Sequence, residues 1–389
     1  VAIELITTED AIDFAGGRLE LTLPWEDIED PAKDQIVNAL MYPRQDPGRY
    51  AADRYIVKRL AIMRDVHAGY DLPIGSVALL DGYIWPGAVG YDIGCGMCHV
   101  NTGITYGELG TTRTDIKKRV LSMIPVGFDS RKTKSNGFER FRNASKYKAL
   151  ADAVNMKAAW QVGTLGGGNH FLEYGISQRT EEVGVTIHSG SRKSGYNIGD
   201  FYMRMSGGPI PLESELGQQY LADMNWALSF ALRNRELMMK KALKALGLQS
   251  GQVRRLMMDM VNENHNHATV TDDGVIHRKG ATPASKGDIG IIPANMRDGV
   301  WITEGLGNKE CLESAPHGCG RTMSRTRAKK TIDMADHSKS MDGIMVSQPV
   351  EKLLDESAYA YKDIGYVLSG SSKLIRIIDN FRPILVVKG

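Results

Sequence analysis

Cysteine is scarce in this sequence: Cys95, Cys98, Cys311 and Cys319 are the four in 389 residues. Four clustered cysteines cannot staple a chain of this length, which excludes a secreted disulfide framework and leaves thiols or metal ligands as their expected states. Long hydrophobic runs are missing too. No window approaches the roughly 18 consecutive apolar residues of a membrane span. The N-terminal VAIELITTED has no basic stretch leading into an apolar core. No signal peptide, no membrane association and a cytoplasmic location are therefore expected. A dominant charge is also lacking, since the net charge is +2, so nucleic acid would have to be held by local basic patches. Solenoid-period repeats, low-complexity tracts and Pro/Ser-rich linkers are absent, which favours a single domain over 1–389.

What remains is ordinary globular composition, 42% hydrophobic and 24% charged, with enough chain for a sizeable core. The 42 glycines collect in short motif-bearing loops. One group is Gly87, Gly90, Gly94 and Gly96; a second is Gly163, Gly166, Gly167 and Gly168; a third is Gly318 and Gly320. Between them, β-branched runs at 183–190 and 383–389 predict strands. Leu216, Tyr220, Met224, Ala227, Ala231, Met238 and Leu243 approximate one apolar stripe, which predicts a packing helix over 216–246. A second helix is expected from about Ser324 into MADHSKS, with Arg321, Arg325, Arg327, Lys329 and Lys330 near its start as a solvated face or a phosphate-binding rim. The pattern predicts a mixed α+β fold.

Six short segments carry residues suited to chemistry. In GAVGYDIGCGM, Asp92 and Cys95 are three apart in a loop able to wrap an ion, although Cys95 and Cys98 also form a CxxC pair. In GTLGGGNHFLEY, a tight turn delivers Asn169 and His170 and then a strand with Glu173. IHSGSRKSG follows a strand end at His188 with Ser189, Ser191, Arg192 and Lys193, hydroxyls and cations that suit phosphate oxygens. NENHNHA offers His265, Asn266 and His267; in extended chain the two histidines face opposite ways, so one of them joins a given site. HRKGATPA adds His277, Arg278 and Lys279. In APHGCGRTMSRTRAKK, His317 stands between Pro316 and Gly318 ahead of a cationic cluster, well placed to attack a phosphorus atom. Together, one carboxylate, one thiolate and at least three imidazoles in separate loops supply donors for two divalent ions, with cations left for phosphates.

These segments, in order and spacing, resemble the RtcB family of RNA-splicing ligases along essentially the whole chain. The runs concerned are RDVHAGYDLPIGSV, VGYDIGCGM, GTLGGGNHFLE, HSGSR, HRKGAT, HGCGRTMSR and the terminal VVKG. The resemblance implies a central metal and nucleotide cleft in one large α+β domain. It implies that Asp92, Cys95 and His170 bind one manganese ion, and that Cys95, His188 and His265 bind a second, with the thiolate bridging. It selects His265 over His267, because the family pattern is His-Asn. His317 is then the nucleophile that takes GMP from GTP through a phosphoramidate bond. Asn169, His170, Glu173, His265 and Asn266 join the nucleotide site by the same inference, as do the 293–296 loop, the segment Gly318, Cys319, Gly320 and Arg321, and Lys388. The partners implied are GTP and RNA bearing 2′,3′-cyclic phosphate or 3′-phosphate ends with 5′-hydroxyl ends, in tRNA splicing or RNA repair. An accessory activator is left open.

The chain departs from the family in places. Pro293, Ala294, Asn295 and Met296 stand where Pro-Gly-Ser-Met is usual, Cys319 stands for Ala, and Arg64 for Pro. The altered loop motivates an alternative, a metal-dependent phosphoesterase that opens cyclic phosphates without guanylylation. A non-catalytic RNA-binding factor is a third possibility, against which the intact ligand set argues.

Overall fold

The computed structural model describes residues 7–44, 55–127, 129–134 and 142–389. The first six residues of the stretch read for a signal peptide lie outside them. Among the described residues, no helix is long and apolar enough to cross a membrane.

The fold is mixed α+β, as the alternation of glycine-ended strands and apolar stripes predicts. Its largest sheet has eight strands. Seven follow the spatial order Ile289–Pro293, Val300–Gly305, Ile375–Lys388, Phe171–Ser177, Glu182–Ser189, Gly96–Thr105 and Val261–Asn264, and Met345–Val346 adds to the Ile375–Lys388 strand. A second sheet of five strands runs Leu19–Leu21, Val57–His67, Ile74–Leu80, Gly274–Lys279 and Asn266–Thr271. Chain passes from one sheet to the other at a single residue, His265, between Asn264 and Asn266.

Antiparallel register gathers the strand ends that matter. Phe171 and Met97 both pair with His188, and Gly96 pairs with Ser189 on one side and Asn264 on the other. Two strands therefore begin where two others stop, and the loops carrying Asp92, Cys95, His170, His188 and His265 meet at one edge of the large sheet.

The predicted long helix exists as Glu215–Ala245. Ser214 starts it by accepting from the Gly217 N–H at 3.1 Å, and Gly247, at φ 92, lies just past its end. Its stripe packs as expected: Tyr220, Met224, Ala227, Ala231, Met238 and Leu243 are all fully buried. Met238, Met239, Ala242 and Leu243 lie in one cluster with Leu172, Tyr174, Val185 and Ile187 of the sheet. Each such side chain contributes roughly 1.5–3 kcal/mol by leaving water.

Packing is not this helix's whole role, because Asn234 and Arg235 on it are also fully buried. Asn234 accepts from the N–H groups of Gly163 and Thr164 at 2.6 and 3.1 Å and donates to Thr164 O, Ser189 Oγ and Gly190 O. Arg235 donates to Gly94 O and Ser189 O at 3.0 and 2.8 Å, and to the side-chain oxygens of Asn262 and Asn264, both at 2.7 Å. Two neighbouring side chains thus tie down all four loops at the sheet edge.

The second expected helix is two. Arg325–Thr331 ends in extended backbone at Ile332, and Asp333 opens Met334–Ser340 by accepting from the N–H groups of Ala335 and Asp336. A strong acidic cap restarts the helix where the apolar pattern alone suggested continuity.

Replacing Arg235 by methionine leaves two carbonyls and two amide oxygens without their donor, at about 1–3 kcal/mol for each group left unsatisfied. R235M is expected to lower the unfolding free energy by at least about 3 kcal/mol in urea denaturation. An R235M protein as stable as the parent would contradict the clamp.

Candidate functional site

Two overlapping donor sets meet at the sheet edge. Asp92, Cys95 and His170 form one, Cys95, His188 and His265 the other, and within each set the donor atoms lie within 4.8 Å of one another. Cys95 Sγ is 3.5 Å from His170 Nε2 and 3.1 Å from His188 Nε2, and the Nε2 atoms of His188 and His265 are 3.3 Å apart. Donors at ~2.0–2.3 Å from one cation in a tetrahedral arrangement would stand roughly 3.3–3.6 Å from each other, so these spacings fit ligands of shared ions. Their orientation fits as well. His188 Nδ1 faces the Asn169 carbonyl at 3.3 Å, which places the proton there and leaves the Nε2 lone pair toward Cys95. His265 is anchored through its backbone, whose N–H donates to Cys95 O at 2.8 Å.

The electrostatics favour a cation. Burial pushes His188 and His265 well below the ordinary imidazole range, with the neighbouring imidazoles adding to it, so both are neutral donors at neutral pH. Burial also raises the Cys95 thiol well above its ordinary value, and the Asp92 charge raises it further. Burial opposes ionisation of Asp92 too, yet His170, Cys95 and Arg192 bring that carboxyl down to about 2. A divalent ion matches this set, with one carboxylate, one thiol that must lose its proton and neutral imidazoles.

His317 stands beside the second set, its ring centroid 4.8 Å from that of His265. It follows the short strand Ser314–Pro316, which pairs with Ala281–Pro283. Its Nδ1 lies 2.7 Å from Asp65 Oδ2, and its backbone N–H reaches the same oxygen at 3.2 Å. Asp65 is fully buried on the Val57–His67 strand, and its Oδ1 has no hydrogen-bond partner. Asp65 therefore fixes the tautomer with the proton on Nδ1 and keeps the Nε2 lone pair free. It was not among the residues singled out in the sequence, although it lies inside the RDVHAGYDLPIGSV run.

Next to His317 opens a cavity of about 270 Å³. Its walls include Asn169, Glu173, the whole 293–296 loop, residues 317–321 and Lys388. Nearly all residues expected at a nucleotide therefore share one cavity. Glu173 is 2% exposed, its Oε1 has no hydrogen-bond partner, and burial raises its carboxyl well above the ordinary range. Such a group suits a ligand that brings N–H donors. The altered loop does not close the cavity. Asn295 folds back on itself, accepting from the Arg297 and Asp298 N–H groups at 3.0 Å and donating to the Asp298 carboxylate at 2.8 Å.

His170, His265 and Asn266, also expected at the nucleotide, are not cavity walls. The Asn266 side chain donates to Asp92 O at 3.2 Å and accepts from the Gly280 N–H at 2.7 Å, bracing the Asp92 loop to the segment behind His317. Ser189 and Ser191 do not offer their hydroxyls to a phosphate: both are buried and donate to Leu165 O and Ile93 O. Of the CxxC pair, Cys98 points into the apolar core and its thiol is pushed up to about 12 by burial. His267 and His277 are elsewhere too; His267 lies 3.5 Å from Arg278 Nη1, and His277 Nε2 accepts from the Trp85 N–H at 2.9 Å.

The sequence reading missed Glu356. It is a buried carboxylate that takes Lys388 Nζ, Arg321 Nη1 at 3.2 Å, Arg325 Nη2 at 3.3 Å and Tyr361 OH at 2.9 Å. Burial would raise it, but the charges of Lys388 and Arg325 hold it below the ordinary range. No local motif marks Glu356; only the need of several cations for one anion would have suggested it. The basic run is thereby divided, with Arg321 and Arg325 turned onto the cavity's carboxylate and Lys329 paired at the surface with Asp355 at 3.6 Å.

A family model described as tRNA-splicing ligase RtcB matches residues 48–152 and 139–389. The RNA-splicing ligase RtcB of Escherichia coli K12 is 30% identical over 436 residues, covering 99% of each chain. The tRNA-splicing ligase RtcB of Aeropyrum pernix is 30% identical, over 86% of this chain and 89% of the relative, and that of Pyrobaculum aerophilum is 28% identical over 84% and 87%.

Cation binding should release the Cys95 proton, since that thiol is raised while His188 and His265 are already neutral. Affinity for a divalent ion is thus expected to rise with pH, roughly tenfold per unit for one proton, up to the raised thiol value. Titration calorimetry from pH 6 to 8 should show this slope, and Cys95→Ala should abolish it. A pH-independent affinity would contradict the thiol as a ligand.

Proposed function

This chain belongs to the RtcB family of tRNA-splicing ligases, and we propose that it is a GTP- and manganese-dependent RNA ligase in which His317 carries the guanylyl group. One observation carries the reading above the others. His317 is held by buried Asp65 through Nδ1, beside the imidazole of His265 and in the wall of a cavity that is also lined by Glu173, whose Oε1 has no hydrogen-bond partner among the described residues.

In this reading Asp92, Cys95 and His170 hold one manganese ion, and Cys95, His188 and His265 the other. When bound, the ions supply Lewis-acid stabilisation of phosphoryl oxygens. The chain's own residues do the rest. Glu173 receives the base of the nucleotide at the cavity floor, with Asn169, the 293–296 loop and Gly318 to Gly320 as its walls. Lys388, Arg321 and Arg325 are kept by Glu356 at one side of the cavity, as fixed positive charge for the nucleotide. His317 Nε2 forms a bond to the α-phosphorus of GTP as the bond to pyrophosphate breaks, and the imidazolium that results is stabilised through Nδ1–H by Asp65. A 3′-phosphate, obtained directly or by opening a 2′,3′-cyclic phosphate, then takes GMP from His317. A 5′-hydroxyl finally attacks that activated end, and GMP leaves as the strands join. Holding the two RNA ends and the histidine together is the main task left to the protein.

The substitutions at Ala294 and Asn295 motivate a phosphoesterase without guanylylation, but the cavity remains open around them. Incubation with α-labelled GTP and manganese, followed by denaturation, should leave acid-labile label on the chain. His317→Ala should carry none. Asp65→Asn should lose on the order of 10²-fold or more in labelling rate while retaining metal. Wild-type protein that binds manganese and opens cyclic phosphates yet takes no label would overturn the ligase in favour of the phosphoesterase.

A further inference from the structure

Away from His317, the metal loop borders an aromatic surface that the mechanism does not use. Tyr70, Tyr91 and Tyr196 come from three separate segments and form one ladder. Tyr70 meets Tyr91 edge to face with ring centroids 4.7 Å apart, and Tyr91 stacks on Tyr196 at 5.0 Å with an interplanar angle of 19°. The outer rings are open to solvent, Tyr70 being 58% exposed and Tyr196 40%. Amino groups flank both outer rings: the exposed Lys193 Nζ lies 3.5 Å from the Tyr196 centroid, and the buried Lys279 Nζ 5.3 Å from that of Tyr70.

The fold brings these groups together deliberately. Gly199 lets the helix Arg192–Ser206 lie against the metal loop, since a Cβ there would come within 2.9 Å of Gly90 O and 3.2 Å of Tyr91 Cα. Lys279 is fixed by donating to Gly87 O at 2.6 Å. The ladder also leads straight to the reacting centre. Tyr91 is bonded to Asp92, and Arg192, next to Lys193, places its Nη1 3.4 Å from His170 Nδ1. Of the neighbouring acidic groups, Asp71 accepts from the buried Trp85 indole N–H at 2.7 Å.

We propose that this ladder is a stacking platform for unpaired nucleotides of the RNA strand that runs to the Asp92, Cys95 and His170 side of the metal centre. The inference rests on the RNA-ligase reading above. The solvent-open parts of Tyr70 and Tyr196 can stack on any base, and the exposed Lys193 with Arg192 suits the phosphates between bases, a combination that binds single strands without sequence preference. A protein partner would have no comparable use for a row of cations leading to a metal centre.

Base stacking of about 1–3 kcal/mol per nucleotide corresponds to roughly 5- to 150-fold in affinity. The test is fluorescence anisotropy of a labelled ten-nucleotide single-stranded RNA with the full chain and manganese. Tyr70→Ala/Tyr196→Ala should bind the RNA at least about tenfold more weakly, while Tyr70→Phe/Tyr196→Phe should bind as the parent does. The same RNA made abasic should bind the parent as weakly as the intact RNA binds the alanine variant. Labelling by α-labelled GTP should be unchanged in all variants, which also reports that they fold. Equal binding by the alanine variant would overturn the platform, and so would a loss that is the same for intact and abasic RNA, which would point to a different partner. A parent protein that takes no GTP label but binds RNA through the two tyrosines would remove the ligase reading and leave the platform standing.

Discussion

Arg235 brings a guanidinium into the protein interior, where burial lowers its pKa and full desolvation is costly. What offsets that cost is four hydrogen bonds to chain segments far apart in sequence: the Gly94 loop, the end of the His188 strand, and Asn262 and Asn264 on the strand leading to His265. With Asn234 holding the 163–164 turn, one helical step fastens every segment that delivers a side chain of the two donor sets. The donor sets depend on this constraint, because residues from 92 to 265 must converge within a few ångströms and glycine-rich loops have no stiffness of their own. A satisfied buried polar cluster gives such loops one arrangement, whereas apolar packing alone would tolerate several.

Around that frame the site divides into two electrostatic compartments with His317 at their boundary. On one side burial makes imidazoles neutral and keeps a thiol protonated until a cation arrives. On the other, the single carboxylate of Glu356 gathers three cations, Arg321, Arg325 and Lys388, so that side keeps an excess of positive charge. Asp65 belongs to neither compartment. It orients His317 from the five-stranded sheet, while the two donor sets come mainly from the eight-stranded one, so His317 and the donors are brought together where the sheets meet. The same junction carries the tyrosine ladder on its open side, next to Asp92. Cavity, donor sets and ladder therefore follow one another past His317 and Asp92.

Much of this was legible in the sequence because the groups sit in short, glycine-bounded motifs whose order is itself informative. For the histidine pair, alternation along extended chain allowed one of the two and the family resemblance selected His265; the structure places His265 among the donors and His267 against Arg278. Other segments were visible but undecided. Ser189 and Ser191 have a composition that suits either phosphate oxygens or a surface loop, yet both are buried and their hydroxyls are taken by carbonyls. The helix read as packing alone carries Asn234 and Arg235, whose polarity gave no periodic signal.

The sequence by itself determined the donor chemistry, the mixed α+β class, the long amphipathic helix and the family, since these follow from residue type, local period and motif order. Only the tertiary structure decided how those parts act together. Asp65 and His317 are 252 positions apart. Glu356 gathers cations from positions 321, 325 and 388, and Tyr70, Tyr91 and Tyr196 stack across three segments. None of these pairings has a local signature, because each is set by strand register and by which loops one buried helix face can reach.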